Sequence, residues 1–339
     1  MDLLAYFSSL DPLRLLRNLP GGIAQGILWG IMALGVYITF RLLKVSDLTV
    51  EGSFATGGAV TVMMITKGIS PMVASLLSLI GLKGMEGVSY PAWIALVMSF
   101  LAGILCGLCT GLMHSYLGIP AILAGILTQL ALYSVNLHIM DMAANTPVSV
   151  DRYSLTVSGR FVPAAILAGC LIAFVIIGIM YWYFGTEQGS AIRATGNNPI
   201  MSRAQGIDID HMKLIGFALS NGIVAFAGGL VAQYQGFADV NMGRGASVIG
   251  LAAVIIGDAL TELFSKNRPN FAGRLICVIL GGIIYYSVVV LVLWLRLNTN
   301  DLKLLTAVIV CLFLAIPYLK EQRTTSFAKF KNRGGWKNA

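Results

Sequence analysis

Few side chains in this sequence could carry out catalysis. The three histidines, His114, His138 and His211, are far apart, and no H-E-x-x-H motif or pair of carboxylates occurs within an apolar segment. The sequence also has no G-x-x-x-x-G-K-[ST] loop, which would bind the phosphates of a nucleotide. We therefore expect no catalytic residue, no metal site and no cofactor on this chain, and we predict that it is not an enzyme.

Carboxylates are missing from the centres of the apolar segments. Six of them lie at or near segment ends: Asp47, Glu51, Asp141, Asp239, Asp258 and Glu262. A transporter driven by an ion gradient usually needs an ionisable group near the middle of the membrane. This pattern favours an energy source on a partner protein, with an ion-coupled secondary transporter as the alternative.

Polar residues within or beside the apolar segments are candidates for a translocation path. Neutral polar groups would wet such a path without trapping a solute by charge, although each could instead form a hydrogen bond between helices. The candidates are Asp47, Thr49, Ser53, Thr56, Gln129, Asn221, Asp239, Asn241 and Ser247.

The composition indicates an integral membrane protein. Hydrophobic residues make up 57% of the 339 residues and charged residues only 11%, against about 25% charged residues in soluble domains. Several apolar runs are long enough to cross a bilayer as helices. We predict an all-α fold, a polytopic transmembrane helical bundle with about nine spans: 21–43, 52–67, 91–115, 119–139, 161–184, 212–235, 246–261, 271–295 and 303–319.

Three regions follow from this pattern. Residues 1–20 are expected to form an interfacial amphipathic segment, because Asp2 and Asp11 argue against a cleaved signal peptide. Residues 21–319 form the predicted transmembrane domain, with a cytoplasmic loop at 185–211, and residues 320–339 form a basic cytoplasmic tail. The apolar segment 70–82 is too short to cross the membrane alone.

The basic residues predict the orientation. If loop 185–211 is cytoplasmic, the inner side holds 14 of the 23 lysines and arginines and the outer side holds 9. The positive-inside rule then places the N-terminus outside and the C-terminus in the cytoplasm. The same rule explains the net charge of +8, so no nucleic-acid partner is implied.

Two sequence features predict how the helices pack. Gly103, Gly107 and Gly111 form one small-residue stripe, and Gly26 and Gly30 form another, as expected where helix backbones approach closely. In addition, residues 45–60 resemble residues 238–254, with Asp47, Thr49 and Gly52 corresponding to Asp239, Asn241 and Gly245. Five crossings separate the two segments, so they form a possible inverted repeat with copies on opposite membrane faces.

A polar island, SAIRATGNNPIMSRAQGIDIDHMKL, interrupts the apolar sequence at residues 190–214. Asn198 is a predicted N-cap, Pro199 fits the first turn of a helix, and Gly206 is a natural helix end. We therefore predict a short helix over 200–205 that presents Ile200, Met201 and Arg203.

This island resembles the cytoplasmic loop of bacterial ATP-binding-cassette (ABC) importer permeases of the branched-chain amino acid and ribose class, through Ala194, Gly196, Asn197, Ala204, Gly206 and Ile207. The first two predicted spans and the stretch AFAGGLVAQYQGFADVNMGRG resemble the same family, nearest to permeases of the aromatic amino acid type. A longer insert between Lys67 and Pro91 departs from the family pattern.

The resemblance implies that the loop contacts an ATPase. The loop residues concerned are Arg193, Gly196, Asn197, Asn198, Ile200, Met201, Arg203, Gly206 and Ile207. It also implies cytoplasmic ATPase subunits that bind ATP and Mg²⁺, a second permease copy or paralogue, and an extracytoplasmic substrate-binding protein. The expected function is import of a small polar nutrient, most simply an amino acid, across the bacterial inner membrane. A sugar or a nucleoside is the alternative solute.

Overall fold

The computed structural model describes residues 12–68, 90–150, 152–264 and 270–294, with Leu304, Val308 and Cys311 as single positions. The long helices in this part of the chain are α1 (Pro12–Tyr37), α2 (Thr49–Thr66), α3 (Ala92–Ser115), α4 (Ala121–Ile139), α5 (Val162–Gly185), α8 (Ile209–Gln235), α9 (Ala246–Phe264) and α10 (Phe271–Trp294). Two short helices, α6 (Glu187–Asn197) and α7 (Pro199–Ala204), lie between α5 and α8.

Six helices in the described ranges are long and apolar enough to cross a membrane. They cover Leu15–Leu42, Ala92–Ser115, Ala121–Ile139, Val162–Gly185, Ile209–Gln235 and Phe271–Trp294. The predicted polytopic helical protein is therefore confirmed, but nine spans are not. Helices α2 and α9 occupy two of the predicted spans but are not among these six, and segments 70–82 and 303–319 lie outside the continuously described ranges.

The first helix differs from the sequence-based division at residue 20. Helix α1 runs through Pro20 without a break and continues into a π-helical turn, Ile38–Leu42. Residues 12–20 thus belong to the same helix as the first predicted span. Residues 1–11 and 320–339 fall outside the described residues, as does most of the insert between Lys67 and Pro91.

A small β-ribbon departs from the predicted all-α fold. Strand β1 (Asn145–Pro147) pairs antiparallel with β2 (Phe237–Asp239), and Thr146 is opposite Ala238. Three-residue strands leave no periodic hydrophobic pattern that sequence inspection could detect. The ribbon joins the loop after α4 to the end of α8.

Helices α1 and α8 form the centre of the bundle, and α5 lies at its edge. In the most apolar stretch of each helix, 83% of the residues are buried in α1 and 78% in α8, but only 17% in α5. Helix α2 is also almost completely buried. An all-round buried α2 explains why its Thr, Ser and Gly residues are tolerated, since they contact protein and not lipid.

Both predicted glycine stripes lie at helix crossings. A Cβ atom on Gly103 or Gly107 would overlap the backbone carbonyls of Asn221 or Phe217 in α8. A Cβ atom on Gly26 would lie 2.6 Å from the Cα of Ile283 in α10. The glycines of α3 and α1 therefore allow the close backbone contact that the stripes predict.

Candidate functional site

The polar island folds into two short helices with well-defined ends. Helix α6 begins after Thr186, whose hydroxyl accepts a 3.4 Å hydrogen bond from the N–H of Gly189. Helix α7 begins after Asn198, whose side-chain oxygen accepts a 3.1 Å hydrogen bond from the N–H of Met201. Pro199 occupies the first turn. The predicted N-cap and the predicted role of Pro199 are confirmed.

Helix α7 ends at Gly206 in the way that its sequence predicts. Gly206 has a left-handed φ of +82°. The N–H of Ile207 donates to the carbonyl of Ser202 at 3.1 Å, and the N–H of Gly206 donates to that of Arg203 at 3.0 Å. This pair of bonds is a Schellman motif, and glycine is the residue that adopts its left-handed position without steric cost.

Helix α7 presents apolar side chains outside the bundle. Ile200 is 85% exposed and Met201 is 58% exposed. The side chain of Arg203 is 72% exposed and approaches Asp210 at 3.9 Å. Ser202, on the opposite side of α7, is buried. An exposed pair of large apolar residues on a polar loop is typical of a protein-binding surface.

The loop is fixed to the end of α1 through Gly196 and Asn197. A Cβ atom on Gly196 would overlap the carbonyl oxygen of Leu42, so α6 rests directly on the backbone of the π-helical turn. Lys44 donates a 3.3 Å hydrogen bond from Nζ to Oδ1 of Asn197. Lys44 itself has a left-handed φ of +56°, which ends the turn. Arg193 lies apart from α7, with its guanidinium 5.9 Å from the ring centre of Phe271.

Three residues beyond Lys44, Asp47 begins a buried polar network. Asn221 of α8 donates a 2.7 Å hydrogen bond from Nδ2 to the Asp47 carboxylate, and Ser53 donates a 2.7 Å bond to Oδ1 of Asn221. The N–H of Thr49 also donates to Asp47 at 2.8 Å. These four predicted path residues are all buried. Buried polar groups that satisfy one another are costly to separate, so this network holds α2 against α8.

A chain of hydroxyl groups extends the network to two further helices. The Thr49 hydroxyl is 2.7 Å from that of Thr110 in α3, which donates a 2.9 Å bond to the hydroxyl of Thr128 in α4. Thr56, another predicted path residue, donates to the backbone carbonyl of Gly52 at 2.9 Å. Asn221 is near the middle of the 27-residue α8, so this network reaches the interior of the bundle.

Glu51 contacts two further path candidates that are half-buried, Gln129 and Ser247. Its Oε1 accepts a 2.6 Å hydrogen bond from Ser247 and a 3.2 Å bond from the N–H of Gly245, at the start of α9. Its Oε2 accepts a 3.0 Å bond from Nε2 of Gln129 in α4. The sequence pattern predicts for Glu51 only a place among the carboxylates at segment ends. Its position one turn after Asp47 is the signal for more, since both carboxylates lie at the beginning of α2.

The two segments of the weak repeat share one local geometry. Asp47 accepts the N–H of Thr49, and Asp239 accepts the N–H of Asn241 at 2.6 Å, so each aspartate forms an Asx turn. Asp239 and Asn241 contribute to neither the Asp47 network nor the Glu51 contacts. The two segments are nevertheless neighbours, because Glu51 binds Gly245 and Ser247. An inverted repeat alone would place them on opposite membrane faces, so the repeat stays a prediction.

Within the described residues, no three His, Cys, Asp or Glu side chains come close enough to hold a metal ion. The carboxylates that the structure does bring into buried positions are occupied by amide, hydroxyl and backbone donors. The two features with a defined geometry are thus the exposed helix α7 and the buried network that starts three residues beyond Lys44.

Comparisons with known proteins identify related transport proteins. Residues 18–316 match the family described as "Branched-chain amino acid transport system / permease component". A tyrosine transport system permease protein of Clostridioides difficile is 34% identical over 86% of this chain and 88% of its own length. The autoinducer 2 import system permease protein LsrC of Escherichia coli is 27% identical over 58% of each chain. No solved structure matches.

Proposed function

Because the chain belongs to the family of permease components of branched-chain amino acid transport systems, we propose that it is the membrane subunit of an ABC importer. In this role the chain forms part of a path for a small polar nutrient across the bacterial inner membrane. It is not itself an enzyme, because ATP would be bound with Mg²⁺ and hydrolysed on separate cytoplasmic subunits. The expected partners are two such ATPases, a second permease copy or paralogue, and an extracytoplasmic substrate-binding protein.

The proposed solute is an amino acid. The relative from Clostridioides difficile, which covers most of the chain, is named for tyrosine transport. The match to LsrC, which is named for autoinducer 2 import, covers a smaller part of both chains. A sugar-like or nucleoside solute is therefore the second candidate.

The exposed apolar surface of α7 is the observation that supports contact between this chain and an ATPase subunit. Ile200 and Met201 project from a capped helix that the bundle does not cover. Since Gly196 and Asn197 attach the loop to Leu42 and Lys44, a displacement of the loop would be transmitted to the end of α1. Asp47, three residues beyond Lys44, would pass this displacement to Asn221 and hence to α8.

The same proposal includes the finer topology. Helices α2 and α9 would cross the membrane as internal helices, and segment 303–319 would complete nine spans. The N-terminus would lie outside and the basic tail in the cytoplasm. The path would be lined from the half-buried groups Gln129 and Ser247, together with Glu51, at the meeting of α2, α4 and α9. Behind these lining residues would pack the fully buried candidates, which are Asp47, Thr49, Ser53, Thr56 and Asn221.

The deciding experiment is affinity purification of the tagged chain from membranes in a mild detergent. We expect an ATPase subunit to copurify, and an Ile200→Asp variant to lose it while inserting normally into the membrane. Uptake by the purified chain alone, driven by an ion gradient without ATP, would instead establish the secondary-transporter alternative.

A further inference from the structure

A second site lies where α5, α6 and α10 meet, away from α7. A cavity of about 510 Å³ opens there, and its wall includes Trp182 at the end of α5, Thr186 and Arg193 of the α6 segment, and Phe271 at the start of α10. The buried ring of Phe184 packs against Phe271 with 5.7 Å between ring centres, so one side of the cavity is formed by packed aromatic rings.

The cavity carries an unpaired positive charge. Arg193 is exposed, and its guanidinium lies over the ring of Phe271. Among the residues that the structure describes, no carboxylate lies within salt-bridge distance of Arg193, whereas Arg41, Lys67 and Arg203 each have one. An arginine beside an open cavity, with an aromatic face on one side, can bind an anion through its free N–H groups.

Helix α5 leads from this cavity along the surface of the bundle. Phe174 is 77% exposed and Trp182 is 71% exposed. Gly178 lies midway between them on the same helix face, and no atom lies within 4 Å of a Cβ placed on it. The exposed face of α5 therefore has a slot between two aromatic side chains. Since α5 is the least buried of these six apolar helices, this face would be open to lipid in the membrane orientation proposed above.

These observations point to a single type of ligand. Tryptophan and tyrosine at the end of a membrane helix mark the level of the lipid headgroups, and Tyr181 and Trp182 occupy that position. We propose that the cavity binds the phosphate headgroup of an anionic phospholipid at Arg193, with one acyl chain in the slot at Gly178. Lipid binding would then hold α5 to the α6 segment and the start of α10.

Two variants test the two halves of this site. Arg193→Gln removes the charge, and Gly178→Leu fills the slot without changing any charge. Arg193→Lys keeps the charge, and Arg203→Gln is the matched control, because it removes another exposed arginine from the same loop. The proteins are embedded in bilayer discs of phosphatidylcholine, with or without phosphatidylglycerol, and the lipid retained after transfer to detergent is counted by native mass spectrometry.

We expect Arg193→Gln to bind phosphatidylglycerol about five-fold more weakly than the unchanged chain, which corresponds to about 1 kcal/mol for one basic residue near a bilayer surface. Gly178→Leu should also lose the retained lipid, while Arg193→Lys and Arg203→Gln should keep it. Equal retention in the Arg193→Gln variant and the unchanged chain would overturn the proposal.

Two further results would also overturn it. Inorganic phosphate that stabilises the chain against heat as well as phosphatidylglycerol does would mean that the site binds a free anion. Loss of ATPase copurification in Arg193→Gln, with unchanged lipid retention, would show that Arg193 contacts the ATPase. Neither result depends on whether the chain transports an amino acid.

Discussion

Asn221 donates a 2.7 Å hydrogen bond to the carboxylate of Asp47, although 174 residues separate the two in sequence. The same amide accepts a 2.7 Å bond from Ser53 through its oxygen. One buried side chain in the middle of α8 therefore fixes both the segment that precedes α2 and the second turn of α2. This contact therefore links three elements: the segment that follows α1, helix α2 and helix α8.

The first prediction concerns this contact. Asp47→Ala and Asn221→Leu should each lower the free energy of unfolding, because each leaves buried partners unpaired. The double variant should be less affected than the sum of the two, with a coupling energy of about 1–3 kcal/mol. Thermal unfolding in detergent measures the three variants, and strictly additive losses would show that the contact contributes no coupling.

The second prediction concerns the attachment of the loop to α1. Gly196→Val would force a side chain into the space of the Leu42 carbonyl. We expect a loss of about 1–3 kcal/mol of stability from this overpacking, together with loss of transport. Gly178→Ala is the control, because its added methyl group meets no atom within 4 Å. That variant should be as stable as the unchanged chain or slightly more so.

The third prediction tests the surface of α7. Arg203→Glu should leave folding unchanged, because the 3.9 Å contact with Asp210 is exposed and contributes less than about 1 kcal/mol. Stimulation of the ATPase by the transport complex should fall about ten-fold or more, the effect of losing an interface contact of about 1.4 kcal/mol. Gln205→Ala serves as the control on the same loop. Full ATPase stimulation in the Arg203→Glu complex would refute the coupling role.

The fourth prediction concerns the end of α7. Gly206→Val would hold a β-branched residue at a φ of +82°, which costs about 1–2 kcal/mol. The Schellman hydrogen bonds should weaken, and Ile200 and Met201 should lose their fixed position, so ATPase stimulation should fall. Gly206→Asn should retain most of it, because asparagine tolerates the left-handed region. ATPase assays on both variants, after equal membrane insertion is verified, distinguish the two results.

The fifth prediction concerns Glu51. Glu51 accepts a hydrogen bond from the N–H of Gly245, the residue before α9, and another from the hydroxyl of Ser247 in the first turn of α9. Glu51→Ala should cost about 1 kcal/mol, because these donors would lose their partner, and should alter transport more than Thr56→Ala does. Thr56 donates its hydroxyl to the carbonyl of Gly52 in its own helix and forms no hydrogen bond with α4 or α9 among the described residues. Equal transport in the two variants would argue against a path at the meeting of α2, α4 and α9.

The structure also shows which features could be predicted from the sequence. The ends of α7 follow from local chemistry, because Asn198, Pro199 and Gly206 act on residues within a few positions of themselves. The glycine stripes of α1 and α3 were also readable, since their spacing follows the helix period. The long-range hydrogen-bond partners could not be predicted, because nothing in the sequence near Asp47 identifies Asn221 and nothing near Glu51 identifies Ser247. Burial was not evident from the sequence either: α2 is buried on all sides by protein, and this burial permits the threonine, serine and glycine residues that lower its apolar content.

The glycine contacts of α3 with α8 have a mechanical consequence. Where Gly103 and Gly107 meet carbonyl groups of α8 directly, no flexible side chains lie between the two backbones to absorb sliding. Together with the Asn221 contact, these glycine contacts make α2, α3 and α8 a rigid unit of three helices. We expect the backbone amides of this unit to exchange with deuterium most slowly in the molecule. We also expect alternating access to arise as the unit tilts relative to α5 and α10.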